Sequence, residues 1–109
     1  MKHIFIVNPA AGKGRPLKLI PVIRRHCAEQ DCEPEILVTE YPGHATELAA
    51  AKSAAERCRI YSVGGDGTLN EVLNGMAGSG SSLAVIPSGS GNDFIKSLVG
   101  RDVPDDIIP

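Results

Sequence analysis

The sequence predicts an α/β domain built on a mainly parallel sheet, on three observations. Four apolar runs of strand length, residues 4–7, 36–39, 60–63 and 83–86, are continuous rather than alternating. That is the pattern of strands covered on both faces. Each run is followed by a stretch of helical pattern, so the order reads β-α-β-α-β-α-β-α, with short connections and right-handed crossovers expected. Seven of the twelve glycines fall in three clusters directly after a strand run: Gly12 and Gly14, then Gly64, Gly65 and Gly67, then Gly89 and Gly91.

The elements follow in order. The first strand stops at Asn8-Pro9. Leu17, Ile20, Ile23 and Cys27 then mark an apolar stripe, with Arg24, Arg25 and Glu29 on the polar side. Pro21 lacks an N–H and should kink this helix or move its start. After the second strand, residues 44–57 are rich in alanine, the best helix former, and His44 with Glu47 three residues on reads as a cap. After the third, Leu69, Val72, Leu73 and Met76 repeat at helical spacing, and Gly75 and Gly78 are expected to end the helix. Residues 78–82 are a loop. After the fourth strand, Asn92-Asp93 caps a helix carrying Phe94, Ile95 and Leu98, closed by Gly100. Residues 103–109 read as the start of a further helix, so a longer protein is expected.

Composition bounds the function. The chain has 109 residues, 42% of them hydrophobic, with a net charge of −2. One domain is expected, and neither intrinsic disorder nor non-specific nucleic-acid binding suits these values. With no Trp, two Phe and two Tyr, the core should rest on Val, Ile, Leu and Ala. Cys27, Cys32 and Cys58 are an odd set without Cys-x-x-Cys spacing and read as thiols in a reducing compartment. The first apolar run is too short for a signal peptide or a membrane span, so a cytoplasmic protein is expected. His3, His26 and His44 are not spaced as a metal set. The basic residues Lys13, Arg15, Lys18, Arg24 and Arg25 read mainly as a solvated helix face, with contact to anionic lipid as the lesser alternative.

The glycine clusters carry the chemistry. In a parallel sheet the carboxyl ends of the strands share one edge, where open α/β sheets bind ligands. A Gly-rich strand-to-helix turn brings bare backbone N–H groups to a ligand, and the helix N-terminus behind it adds partial positive charge. Thr68, Ser88, Ser90 and Asn92 add donors; Lys13 and Arg15 add cations, with Lys18 near. The pattern suits an anion with several oxygens. It is not a Walker loop, which would need Gly where Leu17 stands, and no Gly-Lys-Ser/Thr occurs. Nor is it a Rossmann fingerprint, whose third glycine would fall on Leu17, Asn70 or Phe94. Asp66 is an acid inside an anion-binding loop. It could hold Mg²⁺ or its waters, accept a proton from an attacking hydroxyl, or cap the next helix as a turn residue. Glu71 either bonds back to the loop or is an ordinary surface acid.

Three segments together resemble the diacylglycerol kinase catalytic domain, over nearly the whole chain. They are Val7-Asn8-Pro9-Ala10-Ala11-Gly12, the run from Gly64-Gly65-Asp66-Gly67-Thr68 through Leu69-Asn70-Glu71-Val72, and Pro87-Ser88-Gly89-Ser90-Gly91-Asn92-Asp93-Phe94. This is the family of bacterial diacylglycerol kinases, related lipid kinases, and sphingosine and ceramide kinases. Gly-Gly-Asp-Gly-Thr alone is shared with NAD kinases; Leu-Asn-Glu-Val after it, and then Gly-x-Gly-Asn-Asp-Phe, point to the lipid kinase branch. The resemblance implies a three-layer α/β/α domain over residues 1–109, the N-terminal ATP-binding half of a lipid kinase. The full protein would use ATP and Mg²⁺ and transfer the γ-phosphoryl to a lipid hydroxyl.

By the same resemblance, Asn8, Pro9, Ala10, Ala11 and Gly12 would line the nucleotide site with Gly64, Gly65, Asp66, Gly67, Thr68, Leu69 and Asn70. Thr39 would contact the nucleotide, and Ser90 stands where members usually carry Thr. Asp66 is the catalytic candidate; Asn92 and Asp93 would fix their loop. A second, mostly β domain would supply the lipid pocket, acidic Mg²⁺ ligands and a base, so this chain alone would bind nucleotide without catalysis. A cytoplasmic protein touching the inner face of the membrane follows from that implied role. The alternatives are an NAD kinase relative, against which Asn-Asp-Phe stands, and a stand-alone nucleotide-binding module.

Overall fold

The computed structural model describes residues 2–87. Its elements are β1 (Lys2–Val7), α1 (Arg15–Glu29), β2 (Pro34–Val38), α2 (His44–Ala55), β3 (Cys58–Gly64), α3 (Asp66–Met76) and β4 (Ser82–Pro87). The four described strands form one parallel sheet in the order β2-β1-β3-β4. The expected helix over residues 92–100, the Ser88–Asp93 loop with Ser90, and the start of a helix at 103–109 lie outside the described residues.

The four apolar runs are all strands, and their lack of alternation has the expected cause. On one face Phe5, Val7, Tyr61, Val63, Ala84 and Ile86 pack against Leu19, Ile23 and Cys27 of α1. On the other, Ile4, Ile6, Cys58, Ile60 and Leu83 pack against Ala45 and Ala49 of α2 and Val72 and Met76 of α3. With helices on both faces, successive side chains of a strand point into two different apolar layers. The result is a three-layer α/β/α arrangement.

The aromatic content matters more than its scarcity suggested. Phe5 and Tyr61 are fully buried and stacked, with ring centroids 4.1 Å apart. The Tyr61 hydroxyl lies 2.7 Å from His3 Nδ1. Burial pushes the Tyr61 phenol up to about 12, against the opposing pull of the Arg59 guanidinium.

Three expectations about the helices need correction. The buried stripe of α1 is Pro16, Leu19, Ile23, His26 and Cys27, while Leu17 is exposed. The helix already begins at Arg15 with proline in its first turn, which sets the phase of the inward face. Pro21 neither ends nor delays α1; it sits exposed, on a side of the helix where water can take the carbonyl it leaves unpaired. The helix instead closes after Glu29 in a Schellman motif, with Cys32 N–H donating to Cys27 O at 2.8 Å, Asp31 N–H to Ala28 O at 3.2 Å, and Asp31 at φ 56°. This brings the Cys27 and Cys32 thiols together, and burial, reinforced by Cys32, pushes the Cys27 thiol up to about 12.

The second correction concerns His44. It is the first residue of α2, not its cap; Gly43, at φ 90°, holds the cap position. The His44 ring accepts the Glu40 N–H at 2.9 Å and so secures the turn before the helix. Third, Gly78, at φ 80° just past the end of α3 at Met76, stands where a helix-ending glycine was expected, but Gly75 lies inside the last turn and does not end it. A Cβ there would collide with the Thr46 carbonyl oxygen and stand 2.8 Å from Ala49 Cβ. Glycine at this point lets α2 and α3 approach closely, and the alanines of α2 meet it with little bulk.

Candidate functional site

Strand order fixes the site. From β1 the chain runs through α1 to β2 on one side, and from β3 through α3 to β4 on the other. The order therefore reverses between β1 and β3, and the crevice beyond their carboxyl ends is the topological switch point. Asn8 stands at one lip and Gly64-Gly65-Asp66 at the other.

Side chains bolt the two lips together. The Asn8 N–H extends the ladder to Val63 O at 3.0 Å. Its side-chain Nδ2 donates to Thr68 Oγ1 at 3.0 Å, and its Oδ1 accepts the Ala10 N–H at 2.9 Å. One residue thus shapes its own turn and holds the first turn of α3. Thr68 is buried, and a Cβ on Gly64 would lie 2.5 Å from its hydroxyl. Gly64 is therefore required by the close approach of Thr68.

Beyond Ala10 the chain makes a tight turn over Ala11–Gly14, where Gly12, Lys13 and Gly14 take φ of 53°, 58° and 83°. Lys13 is a strained residue in this left-handed run. On the opposite lip Gly65, Asp66 and Gly67 are exposed, with open space where Cβ atoms of Gly65 and Gly67 would be. No side chain caps α3, and Asp66 does not serve as the cap it could have been. Its carboxylate lies in the first turn, where it complements the helix dipole. The uncapped first-turn N–H groups remain available to an anion.

Beside the switch point lies a cleft of about 330 Å³. Asn8, Pro9 and Ala10 form one wall and Thr39, Glu40, Tyr41 and Pro42 the other, with Ala45 and Glu71 behind. Thr39 is buried and its N–H donates to Val7 O at 2.9 Å. Tyr41 is exposed but held: its ring stacks on His44 at 4.4 Å, and the Glu47 carboxylate beside its hydroxyl pushes the phenol above its ordinary range. Glu71 Oε1 accepts the Gly43 N–H at 3.1 Å, and Thr46 Oγ1 donates to the Glu71 carbonyl at 2.8 Å. The charged groups lining the cleft are two carboxylates, Glu40 and Glu71, which suit hydrogen-bond donors and repel phosphate. The uncapped backbone donors are on the lips instead.

The structure thus brings Asn8, Pro9, Ala10 and Thr39 into the cleft and sets Gly64, Gly65, Asp66, Gly67 and Thr68 beside it. Ala11 and Gly12 belong to the adjoining turn, and Asn70 is exposed on α3. Leu69 differs: it is partly buried against the core between the sheet and α2–α3. Sequence reasoning missed Glu40, Tyr41, Pro42 and Ala45. Pro42-Gly43, a turn pair between a strand run and a helix, was the available signal. Among the described residues no three His, Cys, Asp or Glu side chains are grouped to hold a metal, and no helix is long and apolar enough to cross a membrane.

Fold and lips together define an open α/β domain with its glycine-rich turns at a strand-order reversal. The family model of the diacylglycerol kinase catalytic domain matches residues 2–108, and the chain belongs to that family. It is 36% identical over 106 residues to a diacylglycerol kinase of Staphylococcus saprophyticus, covering 95% of this chain and 34% of that protein. It is 33% identical over 109 residues to sphingoid long-chain bases kinase 1 of Arabidopsis thaliana, covering 91% of this chain and 14% of that one. A solved diacylglycerol kinase structure from Bacillus anthracis superposes with a TM-score of 0.63 at 33% identity, over 97% of this chain and 36% of the other. The chain spans about a third of the length of the bacterial relatives it matches.

Proposed function

We propose that this chain is the ATP-binding part of a lipid kinase that transfers the γ-phosphoryl of ATP to a lipid hydroxyl. The observation that carries the reading is the division of labour at the switch point: a carboxylate-lined cleft beside two glycine-rich lips with uncapped backbone donors. The base and sugar, rich in donors, suit the cleft, where Glu40 and the Thr39 hydroxyl offer acceptors and Tyr41 a flat wall. The phosphates suit the first-turn N–H groups of α3 and the turn after Asn8. Phosphoryl transfer asks mainly for positioning and fixed donors, and these groups are of that kind.

Asp66, exposed at the edge, is the side chain placed to hold Mg²⁺ or its waters, or to receive the proton of the attacking hydroxyl. A single carboxylate fits, because Mg²⁺ keeps several waters and completes its shell with phosphate oxygens. When bound, the ion neutralises charge on the phosphates. The names of the relatives favour a lipid acceptor over NAD. The acceptor pocket and further acidic groups would come from outside these 109 residues, so the chain alone should bind nucleotide and transfer nothing. Acting on a lipid, the whole protein would work at the cytoplasmic face of a membrane.

Calorimetric titration with ATP·Mg²⁺ tests this. Saturable binding, weakened about tenfold (~1.4 kcal/mol) by Asp66→Ala and indifferent to added NAD, is the expected result. A folded chain that ignores ATP would overturn it.

A further inference from the structure

We infer that Glu71 is a positioning residue of the nucleotide site: its carboxylate fixes the Gly43 turn, and with it the Thr39–Pro42 wall of the cleft, to the helix that carries the Gly64–Thr68 lip. The inference rests on the proposed nucleotide site and adds to it how its two halves are kept in register.

The cap of α2 is completed by a residue of another helix. In an ordinary capping box, the acid at the third position of a helix reaches back to the N–H of its own cap residue. In α2 the cap is Gly43 and the third position is Thr46, which has no carboxylate to offer. The Gly43 N–H is instead satisfied by Glu71, 28 residues away on α3. Thr46 turns its hydroxyl outward and donates to the Glu71 carbonyl. Two hydrogen bonds thus join α2 and α3 at the same point. One turn further along α3, Gly75 sits against the Thr46 carbonyl and Ala49, so the two helices have little room to slide.

Glu71 also follows Thr68 by three residues, which places both on one side of α3. Thr68 is bonded to Asn8 on the β1 lip, and Glu71 to Gly43 on the wall after β2. Two turns of one helix therefore carry two bolts, one to each flank of the cleft. Gly43 sits at φ 90°, in the left-handed region that glycine adopts without a Cβ penalty, at the point where the wall passes into α2. His44 holds this turn to α2 through Glu40 and Tyr41, and the Glu71 bond ties it to α3; releasing the Gly43 N–H removes that tie to the Gly64–Thr68 lip.

The test separates holding the turn from touching the ligand. Glu71→Ala removes the acceptor; Glu71→Gln keeps an oxygen at the same reach and removes the charge. Gly43 amide exchange by NMR reads the bolt directly, and ATP·Mg²⁺ titration reads its consequence. In the Ala variant Gly43 exchange should rise and affinity should fall, each by about tenfold, the scale of one lost hydrogen bond to a charged group. The Gln variant should recover most of both.

An Ala variant that matches the wild type in both readings overturns the inference. So does a Gln variant that protects Gly43 but binds ATP as poorly as Ala, because the charge would then act on the ligand itself. If the Ala variant does not fold, Glu71→Asp, which keeps the charge and shortens the reach to Gly43, should raise Gly43 exchange and weaken ATP by about threefold; no change in either sinks the inference. Failure of the wild type to bind ATP sinks the nucleotide reading and this role with it. A wild type that binds, with variants that bind equally, sinks only the role.

Discussion

The two faces of the sheet solve the same burial problem with opposite materials. On the α1 face lie long side chains: the stacked Phe5–Tyr61 pair of the sheet against Leu19 and Ile23 of α1. Against α2 and α3 the helices contribute Ala45, Ala49, Val72 and Met76, and Gly75 admits α2 to near backbone contact. The α1 face keeps its helix at side-chain distance and carries apolar area. On the α2–α3 face small helix residues let the two helices come close enough for Glu71, Gly43 and Thr46 to meet through hydrogen bonds. The lesson is that bulk serves stability on one face, and closeness serves the geometry of the site on the other.

The largest effect expected of this contrast is on the α1 face. Phe5→Ala should cost about 3–5 kcal/mol in urea unfolding, through lost burial and the cavity left beside Tyr61. A loss under about 1 kcal/mol would mean that this face is not the packed layer described.

Gly75→Ala sharpens the comparison from the other face. In an exposed helix interior the change should stabilise by up to about 1 kcal/mol. Here the new Cβ meets Thr46 and Ala49, and a net loss of about 1–3 kcal/mol is expected in the same unfolding measurement. A gain would show that α2 and α3 are not held as closely as the structure has them.

The smallest effect concerns the polar rim of the α2 side. Glu35 on β2 bonds Lys52 of α2 at 2.5 Å and Lys2 of β1 at 2.9 Å. Lys52 first and Lys2 second hold its carboxyl below the usual carboxylate range. A group whose folded pKa is lowered adds stability that is complete above its unfolded value and lost as pH falls through the folded one. Stability should therefore decline below the ordinary carboxylate range of about 4–4.5. Glu35→Gln should flatten that decline and cost at most about 1 kcal/mol near neutral pH. Chemical denaturation at pH 3, 5 and 7 checks both, and an unchanged slope would mean that these ion pairs carry nothing.

Legibility in the sequence follows the range of each cause. The four strand runs were visible because burial on both faces leaves an unbroken apolar stretch. Which strand residue faces which helix was not, because Ile4 and Phe5 are equally apolar and belong to different layers. In the α1 stripe Ile20, Ile23 and Cys27 do face the core, and only Leu17 was misassigned, because it carries the composition of an inward residue while its place one position past Pro16 turns it outward. Gly75 read as a helix end because its cause lies on another helix. At the site, Asn8, Thr39 and the Gly64–Thr68 run stood out by glycine clustering and family resemblance, whereas Glu40 and Tyr41 carried no motif and entered through the fold of their turn.

The sequence by itself determined the α/β class, the parallel sheet, the family, and which strand ends carry the glycine-rich turns, because periodicity, glycine placement and short motifs are local properties of the chain. Only the tertiary structure decided the strand order that puts the switch point between β1 and β3. It alone settled that Asn8 reaches Thr68 and that Glu71 caps a helix 28 residues away. Those bonds join segments whose separation along the chain hides them, and they form only once the sheet and the close α2–α3 seam have brought the segments within hydrogen-bonding reach.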